Sequence, residues 1–296
     1  MDWIEVTAPK VLCLYDLNEN NTNIYYKFLE QLDKLPKNNF VQLDLSNVER
    51  VSAAAALYLF AHVIGRQLYI SNNFYKFKLP KNPNVVSVFK STGLDTVLKP
   101  GGTKKIKKLW QNDKIQFLCG NNNDVPNFLK RIRTLTGHSV LPQNLGTALK
   151  ETFLNINHHA YSGPSNLVHV TWFSYFHQSE DANGKYLAAL IADRGIGIPT
   201  TIRKSFSKFR YQKDCYCIEK AMLQGVTSTN EMGRGQGSVN IQRPVQLAEI
   251  DQKDSLLIIS GKGQFELEKK IHELNVKMKE MECSIIGSIL EWRLYY

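Results

Sequence analysis

Residues 190–199 read LIADRGIGIP, and the question they pose is what an aspartate is doing at the end of a buried strand. The apolar run that leads into them, YLAALIA at 186–192, has the continuous hydrophobicity of a strand covered on both faces. It stops at Asp193, and Gly195 and Gly197 follow one residue apart. A lone G-x-G of this kind reads as readily as a simple turn. Its meaning depends on what accompanies it along the chain.

Upstream, residues 144–161 read NLGTALKETFLNINHHAY and project onto a helix, where positions three, four and seven apart share a face. Leu149, Phe153, Ile156 and Ala160 fall on one side. Glu151, Asn155 and His158 fall on the other, with His159 at its edge. Alone, that polar face is expected to meet water. Downstream, residues 225–238, GVTSTNEMGRGQGS, space Gly233, Gly235 and Gly237 by two, and the segments at 255–265 and 283–296 read as two closing strands.

In this order and at these spacings the segments resemble the GHKL superfamily of ATPases, which includes DNA gyrase, the large heat-shock chaperone, histidine kinases and the mismatch-repair ATPase. The superfamily's N-box matches Glu151, Asn155, His158, His159 and Ala160. Its first glycine box matches Asp193, Gly195 and Gly197, and its second matches Gly233, Arg234, Gly235, Gln236 and Gly237. Ser238 stands where leucine is common, and Gly287-Ser288 where Gly-Thr is usual; the resemblance covers about residues 140–296. It implies that ATP and Mg²⁺ bind here. Asp193 would accept from the adenine amine, and Gly195 and Gly197 would let backbone pass close to the base. Asn155 would give Mg²⁺ a neutral oxygen, and Glu151 would serve as catalytic base. The second glycine box would meet the phosphates at a helix N-terminus, with Arg234 as a side-chain contact. Ile198, Thr229, His158, His159, Gln236 and Ser288 complete the implied nucleotide contacts. Residues 200–230 would form a mobile lid, which accounts for their Lys and Arg content.

The first hundred residues read as a small α/β unit. FVQLDLS at 40–46 alternates as a strand does, residues 52–68 continue as an Ala- and Leu-rich helix, and QLYISNN at 67–73 reads as another short strand. Residues 82–98 form an apolar-periodic helix interrupted by Gly93, a suitable C-cap. A strand ending at Asp44 and Ser46 and feeding this helix resembles the STAS domain of anti-sigma-factor antagonists. Ala54 stands at the aligned phospho-acceptor position, with Ser52 two residues earlier. Pro100, Gly101, Gly102 and the lysines at 104, 105, 107 and 108 suit a boundary. The expected architecture is therefore α/β (α+β) in both halves: a STAS-like domain at 1–115, then a GHKL sandwich at 116–296 with helices on one face of a mixed sheet.

The remaining composition narrows the function. Five cysteines without regular spacing suggest reduced thiols rather than a disulfide framework or a zinc site. Neither a secretory leader nor a membrane-spanning stretch is visible, so a cytoplasmic protein without membrane contact is expected. The formal net charge of +10 leaves nucleic acid open, but no known nucleic-acid module surrounds the basic residues, which are expected to be solvated faces and a mobile loop. The leading expectation is a slow, Mg²⁺-dependent ATPase switch that signals to an unidentified protein partner, with a homodimer possible. The alternatives are a serine/threonine kinase of the anti-sigma-factor type and a non-catalytic ATP-dependent interaction module.

Overall fold

The computed structural model describes residues 3–16, 18–136, 141–161, 169–223, 236–248, 253–270 and 273–296. Thr229, Gly233, Arg234 and Gly235 lie outside the described residues. The chain is mixed α/β and falls into two units, residues 1–119 with 173–175, and residues 120–172 with 176–296.

The first unit contains, in chain order, β1 (Trp3–Thr7), β2 (Val11–Leu12), α1 (Glu19–Lys34), β3 (Phe40–Asp44), β4 (Arg50–Val51) and α2 (Ala53–Tyr69). It continues with β5 (Tyr75–Lys78), α3 (Pro83–Thr92), α4 (Leu94–Leu98) and α5 (Thr103–Gln111), and β6 (Phe117–Gly120) begins in it. Strands β1, β3 and β5 form a parallel sheet in that order, and β2 pairs with β4, also parallel. Val41 and Leu43 of β3 point inward and are fully buried. Helix α2 is buried along nearly its whole length from Ala54 to Ile64, as expected of a helix that is apolar all round. Its one imidazole, His62, is satisfied inside this core, with Nδ1 3.0 Å from Asp33 Oδ1 and Nε2 2.6 Å from the Tyr75 hydroxyl.

Gly93, at φ 79°, ends α3 in the left-handed region that a Cβ disfavours. The strand expected at 67–73 does not form. Gln67 belongs to α2, where its amide donates to the Leu98 and Lys99 carbonyls at 3.3 and 3.1 Å. The Ser71-Asn72-Asn73 run then makes a turn, closed by Phe74 N–H on Ser71 O at 2.9 Å. The lysine cluster is helical, and Lys105 is not a solvated side chain. Its ammonium donates to Val97 O and Lys99 O at 2.9 and 2.8 Å and to Gln67 Oε1, and burial pulls it down to about 8.

In the second unit come α6 (Val125–Thr136) and α7 (Leu145–Asn155), a single π-helical turn (Ile156–Ala160), β7 (Trp172–Asp181) and β8 (Gly184–Asp193). After them come α8 (Ile198–Ser205), α9 (Asp214–Met222), α10 (Gly237–Gln246), β9 (Ser255–Lys270) and β10 (Glu273–Tyr295). The sheet order is β6-β7-β8-β10-β9, with β10 antiparallel to both β8 and β9. Phe128 of α6 and Phe153 of α7 pack on Trp172 with ring centroids 4.9 and 5.0 Å away, and the Trp292 indole donates to Ile241 O at 2.9 Å, fastening α10 to the sheet. Among the described residues no helix is long and apolar enough to cross a membrane.

Phe128 is fully buried and touches Phe153, Trp172 and Phe176. Phe128→Ala should therefore cost about 3–5 kcal/mol in guanidinium unfolding. A loss below about 1 kcal/mol would show that this cluster does not hold α7 on the sheet.

Candidate functional site

The second unit contains a cavity of about 500 Å³. That size holds a ligand of nucleotide or drug dimensions. Its wall brings together segments that are far apart in sequence: Glu151, Asn155, His158 and His159 from α7 and the π-turn, Asp193 from the end of β8, Gly197 and Ile198 at the start of α8, Gln236 and Gly237 at the start of α10, and Ser288 of β10. Leu154, Ile202, Phe206, Met222, Ile241 and Leu290 make up much of the apolar lining.

The helical projection of α7 places its two faces as the sequence predicts. Leu149, Phe153, Ile156 and Ala160 are buried, while Asn155 and His158 are exposed to the cavity. The π-turn over Ile156–Ala160 is the departure, since the 3.6-residue period predicts plain α-helix to its end. An extra residue in the turn rotates the two imidazoles relative to Asn155, and such turns concentrate at functional sites.

Asp193 is only 4% exposed. Its Oδ1 accepts from Gly195 N–H at 2.7 Å. Burial lifts the carboxyl to about 6 from an ordinary 3.8, against the lowering effect of Gly195 N–H and of the Ser288 hydroxyl and N–H. The neighbouring backbone is shaped around it. Gly287 has φ 83°, and a Cβ there would lie 2.1 Å from Asp193 O. The register of β9 on β10 shifts between Ile285 and Ser288, a bulge that aims Ser288 at the aspartate. Gly197, at φ 79°, opens α8. Gly195 has a packing role in this loop. A Cβ on it would strike Ala160 O at 2.0 Å, so its bareness serves the packing of this loop on the π-turn, where Ile196 N–H donates to Ala160 O at 2.7 Å.

Glu151 sits against the N-terminus of α10. Asn240 Nδ2 donates to its Oε1 at 3.2 Å, and a Cβ on Gly237 would come within 3.1 Å of its Oε2. The positive end of the helix dipole favours a carboxylate there. Sequence reading misses Asn240 and Ser260. Ser260 Oγ accepts from Ile198 N–H at 3.0 Å, donates to Gly287 O at 2.9 Å and lies 3.0 Å from Ser288 Oγ, tying α8, β9 and β10 together under the site. The available signal was register, because Ser260 stands opposite Ser288.

The stretch at 200–223 is built as helices α8 and α9, and it lends the cavity Thr201, Ile202, Ser205, Phe206, Ala221 and Met222. Among the described residues none of its lysines or arginines lines the cavity, and residues 224–230 of the expected lid lie outside the described residues. No group of three or more His, Cys, Asp or Glu suited to a metal occurs among the described residues. A scan against protein-family models finds no match for the chain, and a search of the curated proteins finds none.

The buried carboxyl sets a pH signature. Asp193 titrates higher in the folded chain, at about 6, than at its ordinary 3.8, so folding favours its protonated form. That contribution to stability is full below pH 3.8 and is lost as pH rises through about 6. The shift corresponds to about 3 kcal/mol. Asp193→Asn, which cannot ionise, should therefore gain stability relative to the native chain between pH 4 and pH 8. Guanidinium unfolding at both pH values checks this, and an unchanged difference would contradict it.

Proposed function

We propose that the second unit binds ATP together with Mg²⁺ and acts as a slow ATPase switch. The observation that carries the reading is the convergence, on one cavity, of a buried carboxylate at a strand end, a helix N-terminus and the Glu151–Asn155 pair. A carboxylate in a dry pocket selects a ligand that presents N–H donors, as the adenine amine does. The N-terminus of α10, whose N-cap Gln236 makes no side-chain cap bond, lines the cavity beside Glu151, and its N–H groups suit an anion. When bound, Mg²⁺ supplies charge neutralisation on the phosphates. Asn155 offers an amide oxygen for it, and the donor set fits a cation that keeps most of its shell as water and phosphate. Glu151, fixed by Asn240, is held at the α10 end of the cavity, where it can orient a water and take its proton.

On this reading residues 116–296 are a GHKL-type domain and residues 1–115 a STAS-like one. The parallel β1-β3-β5 sheet and the passage from β3 through β4 into α2 support the latter. The Ser52 hydroxyl accepts from Ala55 N–H at 3.3 Å as the N-cap of α2, and Ala54 has no hydroxyl. Both favour a switch over phosphorylation of the chain by itself.

ATP labelled on the γ-phosphate, with Mg²⁺, tests the proposal. The native chain should release labelled phosphate, and Glu151→Gln should bind ATP equally well but turn it over about 100-fold more slowly or worse. Binding should also weaken as pH falls below about 6, where Asp193 protonates. Label transferred to protein would replace the switch by a kinase, and unchanged turnover in Glu151→Gln would remove Glu151 as the base.

A further inference from the structure

The basic residues from the end of α8 to the start of α9 do not line the cavity, which leaves their purpose open. Residues 203–213 read RKSFSKFRYQK, five cations in eleven residues with no acid among them. The segment is an ordered strap. Successive turn bonds join Phe206 N–H to Ile202 O, Phe209 N–H to Phe206 O, Arg210 N–H to Ser207 O and Gln212 N–H to Phe209 O at 2.8–3.1 Å. Arg203 closes it from below, donating to Gln212 O at 2.7 Å and, at 2.5 Å, to Asp214. Asp214 in turn receives Lys262 N–H at 2.7 Å, and Glu280 caps the first turn of α9 through Asp214 and Cys215 N–H. Asp214 and Glu280 are thus engaged in holding it.

The outer surface of the strap is different. Lys204, Lys208, Arg210 and Lys213 are exposed, and among the described residues they have no acidic partner. Tyr211 stands among them at 92% exposure, while Phe209 lies half-buried beneath the Lys208 ammonium, 5.7 Å from its ring centroid. A large aromatic ring left almost wholly in water between cations has no structural role. It is, however, the pairing that binds unpaired nucleotides: cations follow the phosphates, and an open ring offers a face on which a base stacks. An acidic peptide would use the cations and have no need of the ring.

We propose that the strap at 203–213 is a docking surface for single-stranded nucleic acid, with Lys204, Lys208, Arg210 and Lys213 tracking the phosphates and Tyr211 stacking on a base. Ser205 and Phe206 of the strap line the cavity, whereas the four cations and Tyr211 do not, and the proposal does not depend on the ATP reading.

Fluorescence anisotropy with labelled oligo(dT) and oligo(U), without nucleotide, tests it on the full chain. The native protein should bind with a salt dependence of about −2 to −3 in log K against log[salt], the slope for three or four phosphate contacts on a single strand. The triple variant Lys208→Ala/Arg210→Ala/Lys213→Ala should lose tenfold or more in affinity and about 2 in slope. Tyr211→Ala should lose about tenfold, and Tyr211→Phe should retain binding because it keeps the ring. All these side chains are exposed, so thermal unfolding should be unchanged. Absence of oligonucleotide binding overturns the proposal, as does binding unaffected by the triple variant. Equal competition by polyglutamate or by phosphatidylserine vesicles, with Tyr211→Ala indistinguishable from native, would assign the surface to an acidic protein or a membrane instead.

Discussion

A carboxylate taken out of water at the end of a central strand is expensive to keep, and the architecture around Asp193 follows from keeping it. The backbone must turn away at Gly195, approach at Gly287, where a side chain would collide with Asp193 O, and present the N–H and hydroxyl of Ser288 from the adjacent strand. None of these donors removes the cost, since burial still holds the group at about 6. A site that stores such a cost in its unliganded form is suited to a ligand that relieves it, and stability surrendered at one residue is a common accompaniment of function.

The remaining contacts fix the geometry of that ligand site. Phe128, Phe153 and Trp172 set the depth of α7, so that Glu151 and Asn155 reach the same cavity as Asp193. Trp292 on Ile241 O sets α10, and Asn240 joins α10 to Glu151. Ser260 links the start of α8 to the bulge that carries Ser288. The cavity is therefore a product of long-range packing, and hydrogen bonds within the protein hold Glu151, Asp193 and Ser288 in place, an arrangement that lowers the cost of binding.

Much of this was legible in the residues. The two faces of α7, the strand before Asp193 and the left-handed Gly93 follow from periodicity and from the conformational freedom of glycine, and the structure reproduces them. What escaped has physical reasons. Ser260 acts through partners 62 and 27 residues away in the chain, which only strand register brings together. The π-turn at Ile156–Ala160 has no composition that distinguishes it from α-helix. Residues 67–73 have a strand's composition, but Gln67 is taken by the α4 terminus, and the Ser-Asn-Asn run prefers a turn. Lys105 reads as a surface charge, yet two helix-end carbonyls bury it. Strand β7 and helix α1 went unread altogether, and Thr229, Gly233, Arg234 and Gly235 lie outside the described residues.

What Asp193 faces decides the use of this cavity, and base selectivity measures that most directly. Equilibrium binding of ATP and of GTP, each with Mg²⁺ at pH 8, should give clear binding of ATP and at least tenfold weaker binding of GTP. Adenine brings an amine to a carboxylate that can only accept, whereas guanine brings a carbonyl oxygen at the same position. Equal affinity for the two nucleotides, or no affinity for either, would contradict the assignment of this cavity to an adenine nucleotide.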